Sequence, residues 1–138
     1  MIQFVETGLF EAVITHNRYT LIDRSAAPLL ELASRRGLGV SNAAPYGSGI
    51  LAKGPDNYPR YMYGQATQAQ IDEVRRIEAV CQRHDVPLAA AALQFSLRDA
   101  RVHSTIVGMS KAQRVAETEA LAAQSVPEAL WAEIEAVR

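Results

Sequence analysis

The stretch LGVSNAAPYGSGIL, Leu38 to Leu51, decides how the rest of this chain reads. Its first five residues, Leu38 to Asn42, form a short, partly β-branched run of strand character. Gly37 stands just before it, where a helix C-terminal glycine belongs. From Ala43 the pattern dissolves into a loop that continues to Ala66. That loop holds Pro45, Gly47, Gly49, Gly54, Pro55, Pro59 and Gly64, and four of the five tyrosines. Irregular segments of this length inside a compact domain are usually functional or disordered. Tyr58, Tyr61 and Tyr63 argue for a loop that packs on something.

Working outward toward the N-terminus, Ala12-Val13-Ile14-Thr15 reads as a strand covered on both faces. Asp23 or Ser25 can cap a helix running to about Arg36, with Pro28 tolerated in its first turn. Toward the C-terminus, Thr67 and Gln70 have capping-box spacing, and Ile71, Val74, Ile77 and Cys81 line one helical face. Pro87 ends that helix and starts another, Leu88 to about Arg98. His103 to Val107 is a third strand. Ser110 with Gln113 makes a capping box for a helix ending near Ala123. Ser125 with Glu128 makes another, with Pro127 in the first turn of a last helix bearing Leu130, Trp131, Ile134 and Val137. Strand–helix alternation implies parallel strands, expected near residues 12–15, 38–42 and 104–107, with right-handed crossovers. Three strands close no barrel, so the pattern reads as part of something larger.

Composition narrows the function. Of 138 residues, 14 are Lys or Arg and 15 are Asp or Glu, leaving a net charge of -1. Nothing in that balance favours a nucleic-acid or acidic-membrane partner. The single cysteine, Cys81, excludes an internal disulfide and fits a reducing compartment. No apolar run approaches the roughly 18 residues a spanning helix needs. The first residues lack the basic region and cleavage site of a signal peptide, so the expected location is cytoplasmic.

Gly108-Met109-Ser110 ends a strand and opens a helix, which directs free backbone N–H groups and the helix dipole at one spot. Arg114, one turn on, can stack on a base or pair with a phosphate. Glu117 can accept from an amine. The bland reading is a helix cap with solvated side chains beyond it. Tyr46-Gly47-Ser48-Gly49 offers small residues that would let a ligand approach the backbone, although glycine serves any tight turn. His16, His84 and His103 lack metal-ligand spacing.

Five segments, in order, resemble the aldo-keto reductase family. AVITHNRYTLID (Ala12–Asp23) is similar to its sixth barrel strand. Within it, Arg18-Tyr19-Thr20-Leu21 resembles the branch of fucose, D-threo-aldose and pyridoxal dehydrogenases. LGVSNAAPYGSGIL is similar to the seventh strand and its cofactor loop. PLAAAALQFSL (Pro87–Leu97) resembles the alanine-rich helix before the last strand. STIVGMSKAQRVAETE (Ser104–Glu119) is similar to the eighth strand and adenosine-binding helix, and VPEALWAEI (Val126–Ile134) to the branch's closing helix.

The resemblance implies an α/β fold, the C-terminal portion of a (β/α)₈ TIM barrel, with residues 1–138 forming one partial domain. It implies an NAD(P)-dependent oxidoreductase acting on a sugar or an aldehyde/alcohol, represented here by its cofactor-binding part. The family's Asp, Tyr, Lys and His catalytic set belongs to earlier strands, and no residue here aligns with it. The implied cofactor is NAD or NADP, held by Tyr46, Gly47, Ser48, Gly49, Gly108, Ser110, Arg114, Glu117 and Thr118, the last standing where Asn is common. His16 is the candidate substrate-side residue. Position 43, an aromatic in many relatives, is Ala43. The alternatives are a short relic without catalysis, or a half-barrel module completed by a second chain. A barrel cut before its sixth strand leaves an edge and apolar inner faces without partners, so some of Val13, Ile14, Val40 and Ile106 should be less buried than core residues normally are, or covered by another chain. Tyr46 and Lys53 share a loop, the one hint of an independent acid–base pair.

Overall fold

The computed structural model describes all 138 residues. Helix α1 (Ile2–Glu6) precedes strand β1 (Ala12–His16), helix α2 (Ala27–Arg35) and strand β2 (Gly39–Ala43). A single 3₁₀ turn, Gly47–Gly49, leads into the short α3 (Ile50–Lys53) and a small hairpin of β3 (Arg60–Tyr61) and β4 (Gly64–Gln65). Helices α4 (Gln68–Arg83) and α5 (Leu88–Leu97), strand β5 (Ser104–Ile106), and helices α6 (Gln113–Ala123) and α7 (Glu128–Val137) complete the chain. All three expected strands are present.

The sheet order is β1-β2-β5, and both pairings are parallel. Ile14 lies opposite Ser41, which lies opposite Ser104; one row on, His16, Ala43 and Ile106 align. Because side chains alternate across a strand, this register separates two faces. Val13, Thr15, Val40 and Asn42 point into the helical layer and are buried. Ile14 and Ile106 lie on the other face, and they are 57% and 44% exposed. The expectation that some strand residues would lack cover holds for those two and not for Val13 or Val40.

The core lies between the sheet and the helices, around Leu30, Leu51, Ile77, Val80, Leu130 and Ile134. Helix α5 is apolar nearly all round, with Ala90, Ala91, Ala92, Leu93 and Phe95 all buried. Cys81 and Trp131 also belong to the core, as their helical spacing suggests.

Helix starts differ from the sequence expectations in an instructive way. The Thr67–Gln70 box forms in full, with Gln70 N–H donating to Thr67 Oγ1 at 3.3 Å and Thr67 N–H donating to Gln70 Oε1 at 3.0 Å. Neither Asp23 nor Ser25 caps α2, which starts behind Ala26. Asp23 Oδ1 is taken instead by the Ser25 N–H at 2.8 Å, closing a turn before the helix. The Ser110–Gln113 box does not form, because a turn occupies 110–112 and Gln113 is itself the first residue of α6. The Ser125–Glu128 box fails for a related reason. Pro127, extended at φ -67 and ψ 144, is the residue flanking α7, so Glu128 begins the helix instead of sitting at its third position.

Candidate functional site at the C-terminal ends of the strands

In a parallel α/β layer the loops that leave the C-terminal ends of the strands converge, and sites gather there. Here those loops are Asn17 onward after β1, Ala44 to Gly49 after β2, and Val107 to Ser110 after β5. The 3₁₀ turn after β2 is held in left-handed backbone at Gly47 (φ +54), Ser48 (φ +62) and Gly49 (φ +116). A Cβ on Gly47 would come within 2.8 Å of the Tyr61 ring. Glycine is therefore required at 47 by the tyrosine packed on it, independent of any ligand.

Two adjoining cavities, of about 160 and 270 Å³, open between the β2 and β5 loops. Tyr46, Ala52, Lys53, Gly108 and Arg114 line both. Glu117 and Thr118 line the first, while Ser48, Gly49 and Ser110 line the second. Of the nine cofactor residues expected from the sequence, the structure brings eight to this cleft. Gly47 is the exception, buried beneath Tyr61. Ser110 is present as an exposed turn residue, not as the helix cap that the sequence suggested.

The electrostatics of the cleft are unbalanced. Arg24, Arg75, Arg83, Arg98, Arg101 and Arg138 each face a carboxylate. Lys53 and Arg114 do not; the Lys53 ammonium lies 4.3 Å from the centre of the Tyr58 ring. The Tyr46 hydroxyl is buried, and the Thr118 hydroxyl beside it lies outside ordinary hydrogen-bond geometry. Burial pushes its pKa up, opposed by the nearby Arg114 charge and the Thr118 hydroxyl. An unpaired hydroxyl beside two unpaired cations suits a ligand that carries phosphates and can also hydrogen-bond.

His16 lies at the other flank of the turn. Its Nε2 is 3.0 Å from the Tyr63 hydroxyl, and the two rings stack with centroids 5.8 Å apart and planes 7° from parallel. Ser48 joins the two regions, accepting from the Tyr63 N–H at 3.3 Å while it lines the larger cavity. Sequence reasoning weighed Lys53 only as an acid–base partner for Tyr46 and did not name Tyr58 or Tyr63 as site residues. The tyrosine-rich loop was the available signal, but nothing local names its packing partners. No group of three His, Cys, Asp or Glu side chains converges as a metal site would require.

The sequence profile of the aldo/keto reductase family matches residues 1–138. The chain belongs to the aldo/keto reductase family. It is 38% identical over 130 residues to D-threo-aldose 1-dehydrogenase of Pseudomonas sp., covering 93% of this chain and 40% of that protein. It is 32% identical over 128 residues to pyridoxal 4-dehydrogenase of Microbacterium luteolum, covering 92% of this chain and 37% of that one. This aldo/keto reductase chain thus spans about two fifths of the length of the curated relatives it matches. Among solved structures, an apo aldo-keto reductase from Bacillus halodurans superposes with a TM-score of 0.71 at 20% identity, over 98% of this chain and 46% of that one. At that identity the likeness concerns the fold, and it matches the three-stranded parallel sheet to part of an aldo/keto reductase barrel.

Proposed function

We propose that these residues are strands six to eight of an NAD(P)-dependent aldo/keto reductase barrel acting on a sugar or aldehyde, and that they supply the cradle for the cofactor's adenosine and phosphate end. The observation that carries this reading is the cleft between the β2 and β5 loops. There, Lys53 and Arg114 lack carboxylate partners and the buried Tyr46 hydroxyl has no partner in ordinary hydrogen-bond geometry. Arg114 would stack on the adenine or pair with a ribose phosphate. Glu117 would accept from the adenine amine, with Thr118 and Tyr46 completing the wall. Gly108 leaves that wall open, since a Cβ there would meet nothing within 4 Å. The small residues of the Ser48–Gly49 turn would let a diphosphate approach the backbone. The dinucleotide, when bound, supplies the hydride acceptor.

Proton transfer is assigned elsewhere. By the family resemblance, the Asp, Tyr, Lys and His set belongs to strands one to five, outside these residues. Tyr46 and Lys53 do share the cleft, but the raised Tyr46 pKa describes a poor proton donor. Turnover therefore requires the remaining strands.

Calorimetry on the 138-residue chain tests this reading. Weak binding of NAD or NADP is expected, and Arg114→Ala should reduce it by roughly 10-fold, the loss of one charge-assisted contact. A larger loss for NADP than for NAD would assign the guanidinium to a 2′-phosphate. No change in reduced-nicotinamide absorbance should follow addition of any sugar. Sustained turnover by this chain alone would overturn the assignment.

A second reading, a module completed by another polypeptide, draws support from the uncovered face carrying Ile14 and Ile106.

A further inference from the structure

Strand β1 lies at one edge of the sheet, and the hydrogen bonds around it show which groups that edge offers. The bonds that bracket the β1–β2 ladder run from the Gly39 N–H to the Glu11 carbonyl at 2.9 Å and from the Asn17 N–H to the Ala43 carbonyl at 3.2 Å. Glu11 and Asn17 are both odd-numbered. Peptide groups alternate sides along a strand, so the N–H and C=O groups of Ala12, Ile14 and His16 turn away from β2 toward the free edge. The order β1-β2-β5 puts no strand there. Native edges are normally blunted by shortness, a proline, a charge or a bulge. The opposite edge, β5, is blunted by shortness, having only 3 residues. Strand β1 has 5, Ala12-Val13-Ile14-Thr15-His16, with no proline, lysine, arginine or carboxylate among them.

This edge is complementary to its own copy. Antiparallel pairing of β1 with itself over its whole length has one register, centred on Ile14. Ala12 then lies opposite His16 of the second copy, Val13 opposite Thr15, and Ile14 opposite Ile14. In that register the outward-turned peptides of residues 12, 14 and 16 face one another, so each of these opposed pairs exchanges both N–H···O bonds. The side chains agree with it. Ile14, 57% exposed, meets its counterpart as a β-branched apolar pair. Ala12, the smallest residue of the strand, faces His16, which already carries the stacked Tyr63 ring. No charge opposes a like charge. Two hollows flank β1, one of about 270 Å³ walled by Phe4, Phe10, Ala12 and Val13, and one of about 450 Å³ that includes Ile14 and Thr15. Both give an approaching strand apolar surface to cover. The total area is also sufficient. The chain exposes 7581 Å², about 500 Å² more than a compact monomer of 15.1 kDa. Two such surpluses reach the lower limit for a specific interface, about 1,000 Å² in all.

We propose that β1 is a dimerisation edge, at which two copies of this chain pair antiparallel about Ile14 and join their sheets. The edge names a second copy as the polypeptide of the second reading above, and its test involves no nucleotide, so the cofactor cradle stands or falls separately. Sedimentation velocity over a concentration series of the 138-residue chain should show a weak monomer–dimer equilibrium. Ile14→Lys and Ile14→Asp each set like charges directly opposite one another, and each alone should weaken the dimer by at least about fivefold. An equal mixture of the two variants should recover association to within about twofold of wild type, because opposite charges meet only if position 14 pairs with itself. A wild-type chain that stays monomeric overturns the proposal. So do single variants that associate like wild type, or a mixture no better than its components. Amide exchange by NMR decides the matter on the wild type if a variant fails to fold. Raising the protein concentration should slow exchange at Ala12, Ile14 and His16 and leave Val13, Thr15 and Asn17, already bonded to β2, unchanged. Uniform slowing, or none at those three amides, overturns the edge.

Discussion

Asp99 takes its charge from three directions. Arg101 donates to both carboxylate oxygens from Nε and Nη2, the Arg101 N–H donates to Oδ1 at 2.9 Å, and the Tyr19 hydroxyl donates to Oδ2. The Asp99 side chain is 13% exposed, so these bonds are only partly screened by water. Chiefly through Arg101, they hold the carboxyl well below the usual carboxylate range. A carboxyl whose folded pKa is depressed stabilises the fold fully above its unfolded value, and that contribution is lost as pH falls through the folded one. Its loss should begin near pH ~4, the ordinary aspartate value, and continue below it. Asp99→Asn should cost about 1.5–3 kcal/mol at neutral pH, the range for hydrogen bonds to charged groups. Urea denaturation from pH 7 to 2 checks both statements. The gap between wild type and variant should narrow with acid, and a constant gap would assign the cost to packing.

At the level of elements, strands and caps behaved differently, and Thr67 gives the measurable contrast. Its hydroxyl closes a real capping box on α4. Thr67→Ala should therefore cost about 1 kcal/mol. Ser110→Ala and Ser125→Ala, which have the same spacing but cap nothing, should stay within about 0.5 kcal/mol. Thermal melts of the three variants test the distinction. The strands were legible because Ala12–Thr15, Leu38–Asn42 and His103–Val107 are short runs that only a covered sheet accommodates. The caps were half-legible: the spacing states that a box can form, but α6 and α7 begin behind Ala112 and Pro127, two residues after Ser110 and Ser125. Tyr46, Ser48, Gly49, Gly108 and Ser110 could be named because they follow strand ends closely in sequence, whereas Arg114, Glu117 and Thr118 sit on the next helix and were named through the family resemblance. The His16–Tyr63 stack could not, since its partners lie 47 residues apart and meet only because the hairpin folds back over β1. The Tyr61 ring that requires glycine at position 47 lies fourteen positions away, and nothing local in the sequence announces it.

For the molecule as a whole, the governing fact is a sheet with one face buried and one open. The helical layer covers Val13 and Val40 completely enough to make a conventional core. On the other face, Ile14 and Ile106 stand on adjacent rows with Ser41, Ser104 and Ala43 between them. Phe4 and Phe10, themselves exposed, line an apolar hollow beside Ala12 and Val13 of β1. Strand β1 pairs with β2 alone and β5 with β2 alone, so both sheet edges also offer unpaired backbone groups. The barrel relatives close such a sheet on itself, which would turn this face into an interior. If the open face is where stability and association part company, two substitutions should separate them. Leu30→Ala, in the fully buried α2 position, should cost about 2–5 kcal/mol with no change in self-association. Ile14→Asp should change stability by no more than about 0.5 kcal/mol, because its side chain already meets water. It should nevertheless reduce concentration-dependent self-association, since burying a new carboxylate against a second apolar face is costly. Sedimentation velocity over a concentration series, paired with urea melts, measures both quantities. A strongly destabilised Ile14→Asp chain would mean that the open face is structural in the isolated chain, and the case for a covering partner would fall with it.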